Sequence, residues 1–235
     1  MLRPARVVAC AALLACAALL VPACNAQTRL EATDVYSHPF SADFPAGGRL
    51  KLRVRSAEVH IVGTSDNKVS VALSGRGADE ARKLKVRFER HGNTGEMRIC
   101  GGPHNDLTIT IRIPSNTDLY ARIPFGEVHV ENVVNNQNVE LHAGDLTVEV
   151  GDASNYSHVD ASVFSGELDA DPFHESKGGL FRSFKTNGSG RYRLHVHVGA
   201  GQLTLRSRAR ERSAGSGPIP DPITFAGAAS RTPTG

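Results

Sequence analysis

One five-residue phrase recurs along the chain: a small residue, an acid or amide, an apolar residue, a polar one and a second apolar one. It reads Ala57-Glu58-Val59-His60-Ile61, Gly126-Glu127-Val128-His129-Val130, Gly144-Asp145-Leu146-Thr147-Val148, Gly166-Glu167-Leu168-Asp169-Ala170 and Gly201-Gln202-Leu203-Thr204-Leu205. The last four copies are spaced by 18, 22 and 35 residues. A repeat near 20 residues that carries one short alternating strand predicts stacked coils, each adding strands to sheets that run the length of the stack. Glycine at the head permits positive φ or close approach of the neighbouring backbone. The polar residue then faces water, and the two apolar residues face a core shared with the coils on either side.

Alternation of period two extends over most of the chain. Leu50, Leu52 and Val54 alternate with Arg49, Lys51 and Arg53, and Val69, Val71 and Leu73 flank Ser70 and Ala72. Leu84, Val86 and Phe88 alternate with Lys83, Lys85 and Arg87, and Leu107, Ile109, Ile111 and Ile113 with Thr108, Thr110 and Arg112. Each run predicts a strand with one buried and one wet face. Aromatic residues make up only 6% and Trp is absent, so the core is built from small and β-branched side chains. The expected fold is all-β: a single-chain β-solenoid or β-helix-like stack of short strands with coils of about 20 residues. A short helical turn is expected only at ADEARK, residues 78 to 83.

Residues 1–26 have Arg3 and Arg6, an apolar run from Val7 to Val21 and then small residues, the pattern of a secretory signal peptide. Two processing outcomes stay open. Val21-Pro22-Ala23-Cys24 resembles a lipobox, which would make Cys24 a lipidated N-terminus, and cleavage after Ala26 would leave Gln27 first. Both predict export, to the periplasm, the outer membrane or the cell surface, with membrane contact only through a lipid anchor. Without Arg3 and Arg6 the 27 Lys+Arg fall to 25 against 24 Asp+Glu, and a nearly neutral chain gives no argument for a nucleic-acid partner.

Residues 27–46 read as a polar lead-in, 47–206 as the stacked domain and 207–235 as a disordered tail rich in Arg, Gly, Ser and Pro. Residues 171–194 interrupt the repeat. Pro172, Gly178-Gly179 and NGSG at 187–190 predict loops around a short FRSF segment, with Phe173, Phe181, Phe184 and Tyr192 capping the open end of the core. Cys100 is expected as a small residue buried in a strand rather than a reactive thiol, because no His stands beside it in sequence.

Catalytic signatures are missing: there is no HExxH, no paired CxxC, no GxSxG, no Walker loop and no GxGxxG opening a helix. His195 and His197 project from one strand face, and His129 and His142 fall in neighbouring coils, but two ligands with geometric warrant are short of the three or four that a metal needs. The acid pairs Asp169 with Asp171 and Glu127 with Glu131 raise a polysaccharide-cleaving enzyme, which requires two carboxyls in a cleft. The arginines at 206, 208, 210 and 212 read as a solvated strand end. No catalytic residue, metal ligand or cofactor is assigned.

GRLKLRVRSAEVHIVGTSDNKVSVALSG, the repeated GEVHV and GDLTV phrases and the closing GGLFRSF with GSGRYRLHVHVGAGQLTLR resemble the bacterial putative-adhesin family of domains of unknown function, DUF4097, over residues 47 to 206. The resemblance implies an exported β-solenoid or β-helix-like protein and carries no catalytic residues. The expectation is a non-catalytic envelope protein presenting a rigid β surface to another envelope protein or a surface polysaccharide. A β-helix enzyme and a self-assembling scaffold are the alternatives.

Overall fold

The computed structural model describes residues 27–55, 58–75, 81–101 and 106–208. Among the described residues the fold is all-β, with thirteen strands hydrogen-bonded into one large mixed sheet. The first eight are β1 (Gln27–Thr33), β2 (Phe40–Asp43), β3 (Arg49–Val54), β4 (Glu58–Thr64), β5 (Lys68–Gly75), β6 (Lys85–His91), β7 (Thr94–Cys100) and β8 (Leu107–Pro114). The remaining five are longer: β9 (Asp118–Glu131), β10 (Gln137–Val150), β11 (Tyr156–Ala170), β12 (Glu175–Asn187) and β13 (Tyr192–Ser207).

Each long strand folds about a glycine. In β9, Leu119, Ala121 and Ile123 are buried before Gly126, and Val128 and Val130 after it, so the buried parity changes from odd to even. A straight strand would carry Phe125 inward with Ile123; one additional residue at the corner turns Phe125 out, where it is 55% exposed. The same switch occurs at Gly144, Gly166 and Gly201. Each of these strands therefore contributes to two walls. The first is ordered β1-β6-β7-β3-β9-β10-β13-β11-β12, and β2, β5, β8 and β4 continue the second wall outward from the distal half of β9. Side chains from both walls form one continuous core.

The corner glycines stand in register: Gly126 opposite Gly144, Gly144 opposite Gly201, Gly201 opposite Gly166 and Gly166 opposite Gly179. All five have positive φ, between 116° and 139°. A Cβ on Gly201 would lie 2.0 Å from the Gly144 carbonyl oxygen, and one on Gly166 would lie 1.8 Å from that of Gly201. At Gly144, Gly166 and Gly201 the heading residue of the repeated phrase is thus fixed by both backbone conformation and lack of room.

Spatial order departs from a simple winding. β13, which carries the last copy of the phrase, pairs in parallel with β10 on one side and β11 on the other. β12 then returns antiparallel along β11 and forms the outermost strand at that end.

Three expectations are corrected in detail. Residues 27–46 hold β1 and β2, and Val35, Phe40 and Phe44 of this segment are buried, so the polar lead-in contributes a layer to the core. Within residues 171–194 the turn at Pro172 and the connection at 188–191 are present, but Gly178-Gly179 is not a loop: it lies inside β12, where Gly179 supplies the last rung of the glycine ladder. Of the predicted cap, Phe184 is buried against Phe173 at 5.4 Å between ring centroids, whereas Phe181 is 72% exposed and meets Phe164 edge-on. Residues 78–80 of ADEARK, the proposed signal segment with Cys24, and the tail beyond Arg208 lie outside the described residues.

Candidate functional site

The wet side of the first wall carries the site. Strand register places Glu31, Arg87, Arg98, Arg53, Arg122, Glu140 and His197 directly opposite one another on seven successive strands, β1, β6, β7, β3, β9, β10 and β13. Four arginines thus stand side by side across β6, β7, β3 and β9. The sequence produces them through alternation: each is flanked by inward residues, Val86 and Phe88, Met97 and Ile99, Leu52 and Val54, or Ala121 and Ile123, so each must point out.

Two residues further along the strands lies a second outward row containing Thr33, Lys85, Cys100, Arg55, Pro124 and His142. Between the rows runs a groove of ≈ 720 Å³ lined by all of these residues and by the backbone of the inward residues between them. No residue of β2, β4, β5 or β8 lines it, so it is a feature of the outer face and not of the core. With strands about 4.8 Å apart, seven strands give it a length of roughly 29 Å.

Six cationic side chains, Arg53, Arg55, Lys85, Arg87, Arg98 and Arg122, line the groove against two carboxylates, Glu31 and Glu140. The carboxylates sit at the flanks. Arg87 donates to Glu31 at 2.8 Å and Arg122 lies 2.9 Å from Glu140, while Arg98 reaches out of the groove to Glu96 at 2.6 Å. The Arg87 hydrogen bond holds the Glu31 carboxyl below its ordinary range. The Arg98 hydrogen bond does the same for Glu96 against opposing partial burial, with the charges of Arg98, Arg53 and Lys51 adding to it. Among the described residues Arg53, Arg55 and Lys85 make no ion pair. Their donors are open to solvent at the middle of the groove.

The second wall is opposite in sign. Glu127 stands opposite Asp145, Asp145 opposite Gln202 and Gln202 opposite Glu167, so the acid or amide of the repeated phrase forms a row across four strands. Glu58, next in that row on β4, accepts from His60 and Thr108 at 2.9 Å each, and those hydrogen bonds hold its carboxyl below the usual range. The near-neutral total charge conceals this separation, because net charge sums over faces that register keeps apart.

The other candidates are distributed over both walls. His195 lies 3.6 Å from Asp160, His197 hydrogen-bonds Ser162, and His129 contacts Glu127 and stacks at 4.8 Å on His60. His142 meets the Phe125 ring edge-on. Among the described residues no group of three or more His, Cys, Asp or Glu is arranged to hold a metal ion. Glu131 pairs with Arg206 at 2.6 Å and Arg208 with Glu149 at 2.7 Å, so these two arginines brace the second wall. Asp169 lies on β11 and Asp171 in the turn that follows. Cys100 is exposed, a correction: with Met97 and Ile99 buried, parity turns the last residue of β7 outward, onto the groove wall. Among the described residues no helix is long and apolar enough to cross a membrane.

The fold and surface define an all-β protein with a long, charged groove across one sheet face. No family model matches the chain, and no curated protein matches it. Among solved structures it is similar to a putative cell adhesion protein from Clostridium sporogenes, at 16% identity and a TM-score of 0.44, over 72% of this chain and 99% of that one.

Proposed function

We propose that the chain is a non-catalytic, exported cell-envelope protein of β-solenoid-like architecture and adhesin type, which holds an extended partner along the outer face of its first wall. The observation that carries this reading is the groove: seven strands contribute to it, and its polar groups are repeated charges rather than a converging pair or triad. A sheet face fixed by a continuous core and by glycine corners without room to move presents those charges at constant spacing, which suits a linear ligand. The motifs of residues 47–206 that resemble the putative-adhesin domains of unknown function, DUF4097, agree with this reading. In this reading the N-terminal segment exports the chain, and processing leaves either a lipidated Cys24 or Gln27 as the first residue.

The test is retention of the purified protein on immobilised envelope polymers of its own host. Reversing the groove with Arg53→Glu and Arg98→Glu is expected to abolish retention, and Glu127→Lys with Asp145→Lys on the second wall to leave it intact. Retention that is absent, or that follows the second wall, contradicts the proposal.

A further inference from the structure

Four like charges directly opposite one another on adjacent strands are destabilising. Arg87 faces Arg98, Arg98 faces Arg53 and Arg53 faces Arg122, while Arg55 and Lys85 add charge from the next outward row. Glu31 and Glu140 relieve this repulsion at the flanks and Glu96 pairs with Arg98 from outside the groove, while Arg53, Arg55 and Lys85 are left without an ion pair among the described residues. Such an array is matched by a ligand that brings its own negative charges in a line.

Resting on the reading of this face as a binding surface, we infer that the groove takes a linear acidic polysaccharide, the carboxylates on its groove-facing side meeting the arginines of β6, β7, β3 and β9. Planar guanidinium groups engage carboxylates through paired, charge-assisted hydrogen bonds, and Arg53 and Arg55 have all their donors available for this. Single-stranded nucleic acid fits less well: proteins that bind it combine positive charge with aromatic platforms for the bases, and among the described residues no Phe, Tyr or Trp lines the groove. The four arginine-bearing strands span three spacings, roughly 14 Å, with Glu31 and Glu140 bounding that stretch.

Titration calorimetry of the protein with polygalacturonate oligomers of about ten sugars, at low and at physiological salt, tests the inference. Binding is expected, weaker as salt rises. Arg53→Thr and Arg98→Thr are each expected to reduce affinity roughly tenfold, the loss of one charge-assisted contact. Arg112→Thr, an equal charge change at an exposed position of the second wall, should leave affinity unchanged. Absence of binding, equal loss in Arg112→Thr, or equal or tighter binding of a single-stranded thymidine oligomer would overturn the inference. If polygalacturonate fails while groove-dependent retention on envelope polymers persists, the ligand class is wrong and the binding face stands. If both fail, the face itself is wrong.

Discussion

Gly144 stands directly opposite Gly126, and a Cβ placed on Gly144 would lie 1.9 Å from the Gly126 carbonyl oxygen. Its φ of 126° is also one that side-chain-bearing residues rarely adopt. Gly144→Ala therefore combines a backbone clash with backbone strain, and we expect a loss of about 3 kcal/mol or more in chemical denaturation. Gly151→Ala, with open space around the added atom, should change stability by less than about 0.5 kcal/mol. Equal effects at the two sites would remove the corner ladder as a determinant of the fold.

Val128 is fully buried and its neighbour His129 points to the wet face, so adjacent positions should respond differently. Val128→Asp places a carboxylate among apolar side chains and should prevent folding or cost about 4 kcal/mol. His129→Thr, which loses only a partly exposed hydrogen bond to Glu127 and a ring contact with His60, should stay within about 1 kcal/mol of the parent. Thermal melts followed by circular dichroism decide this.

The hydrogen bonds from His60 and Thr108 lower the Glu58 pKa below its unfolded value. A depressed carboxylate pKa contributes stability above the unfolded pKa, near 4.3, and that contribution is lost as pH falls through the folded value. Glu58→Gln should accordingly melt below the parent at pH 7, with the gap narrowing as pH falls below the unfolded pKa. A gap that is constant with pH would show that the charge of Glu58 plays no part.

Arg53 stands between Arg98 and Arg122, and its removal should relieve repulsion. Arg53→Thr is expected to raise the melting temperature slightly at low salt, by the equivalent of about 0.5 kcal/mol, and to lose that advantage in 1 M salt, where the Debye length is about 3 Å. A lower melting temperature for the variant at low salt would mean that the arginine row is internally compensated and does not wait for a ligand.

Much of the fold is legible because period-two alternation and a glycine-headed phrase are local. The inward residues of β3, β6, β8, β9 and β10 follow from parity, and the positive φ of Gly126, Gly144, Gly166 and Gly201 follows from their place in the repeat. Pairing is not local. Nothing in the sequence around Leu194–Val198 says that β13 lies between β10 and β11, and Gly178-Gly179 resembles a loop until Gly166 is found opposite it. Phe40 and Phe44 were obscured by polar neighbours in a segment whose strands are short. The site was harder still to read. The outward arginines of RLKLRVR, KVRF and MRIC are visible one strand at a time, but their alignment into a single row depends on register between segments up to about seventy residues apart. Cys100 needed only consistent parity from Met97 and Ile99, a signal that was available.

Cys100 also offers the most direct test of the central claim, because it lies on the wall of the groove and is exposed. The measurement is its rate of alkylation by uncharged iodoacetamide in the folded protein, with polygalacturonate or with neutral dextran present. Occupation of the groove predicts a slower, saturable rate with polygalacturonate and an unchanged rate with dextran, the protection disappearing in Arg53→Glu. The same rate in both polymers, under conditions where calorimetry detects polygalacturonate binding, would place the acidic chain elsewhere and contradict the assignment of this face.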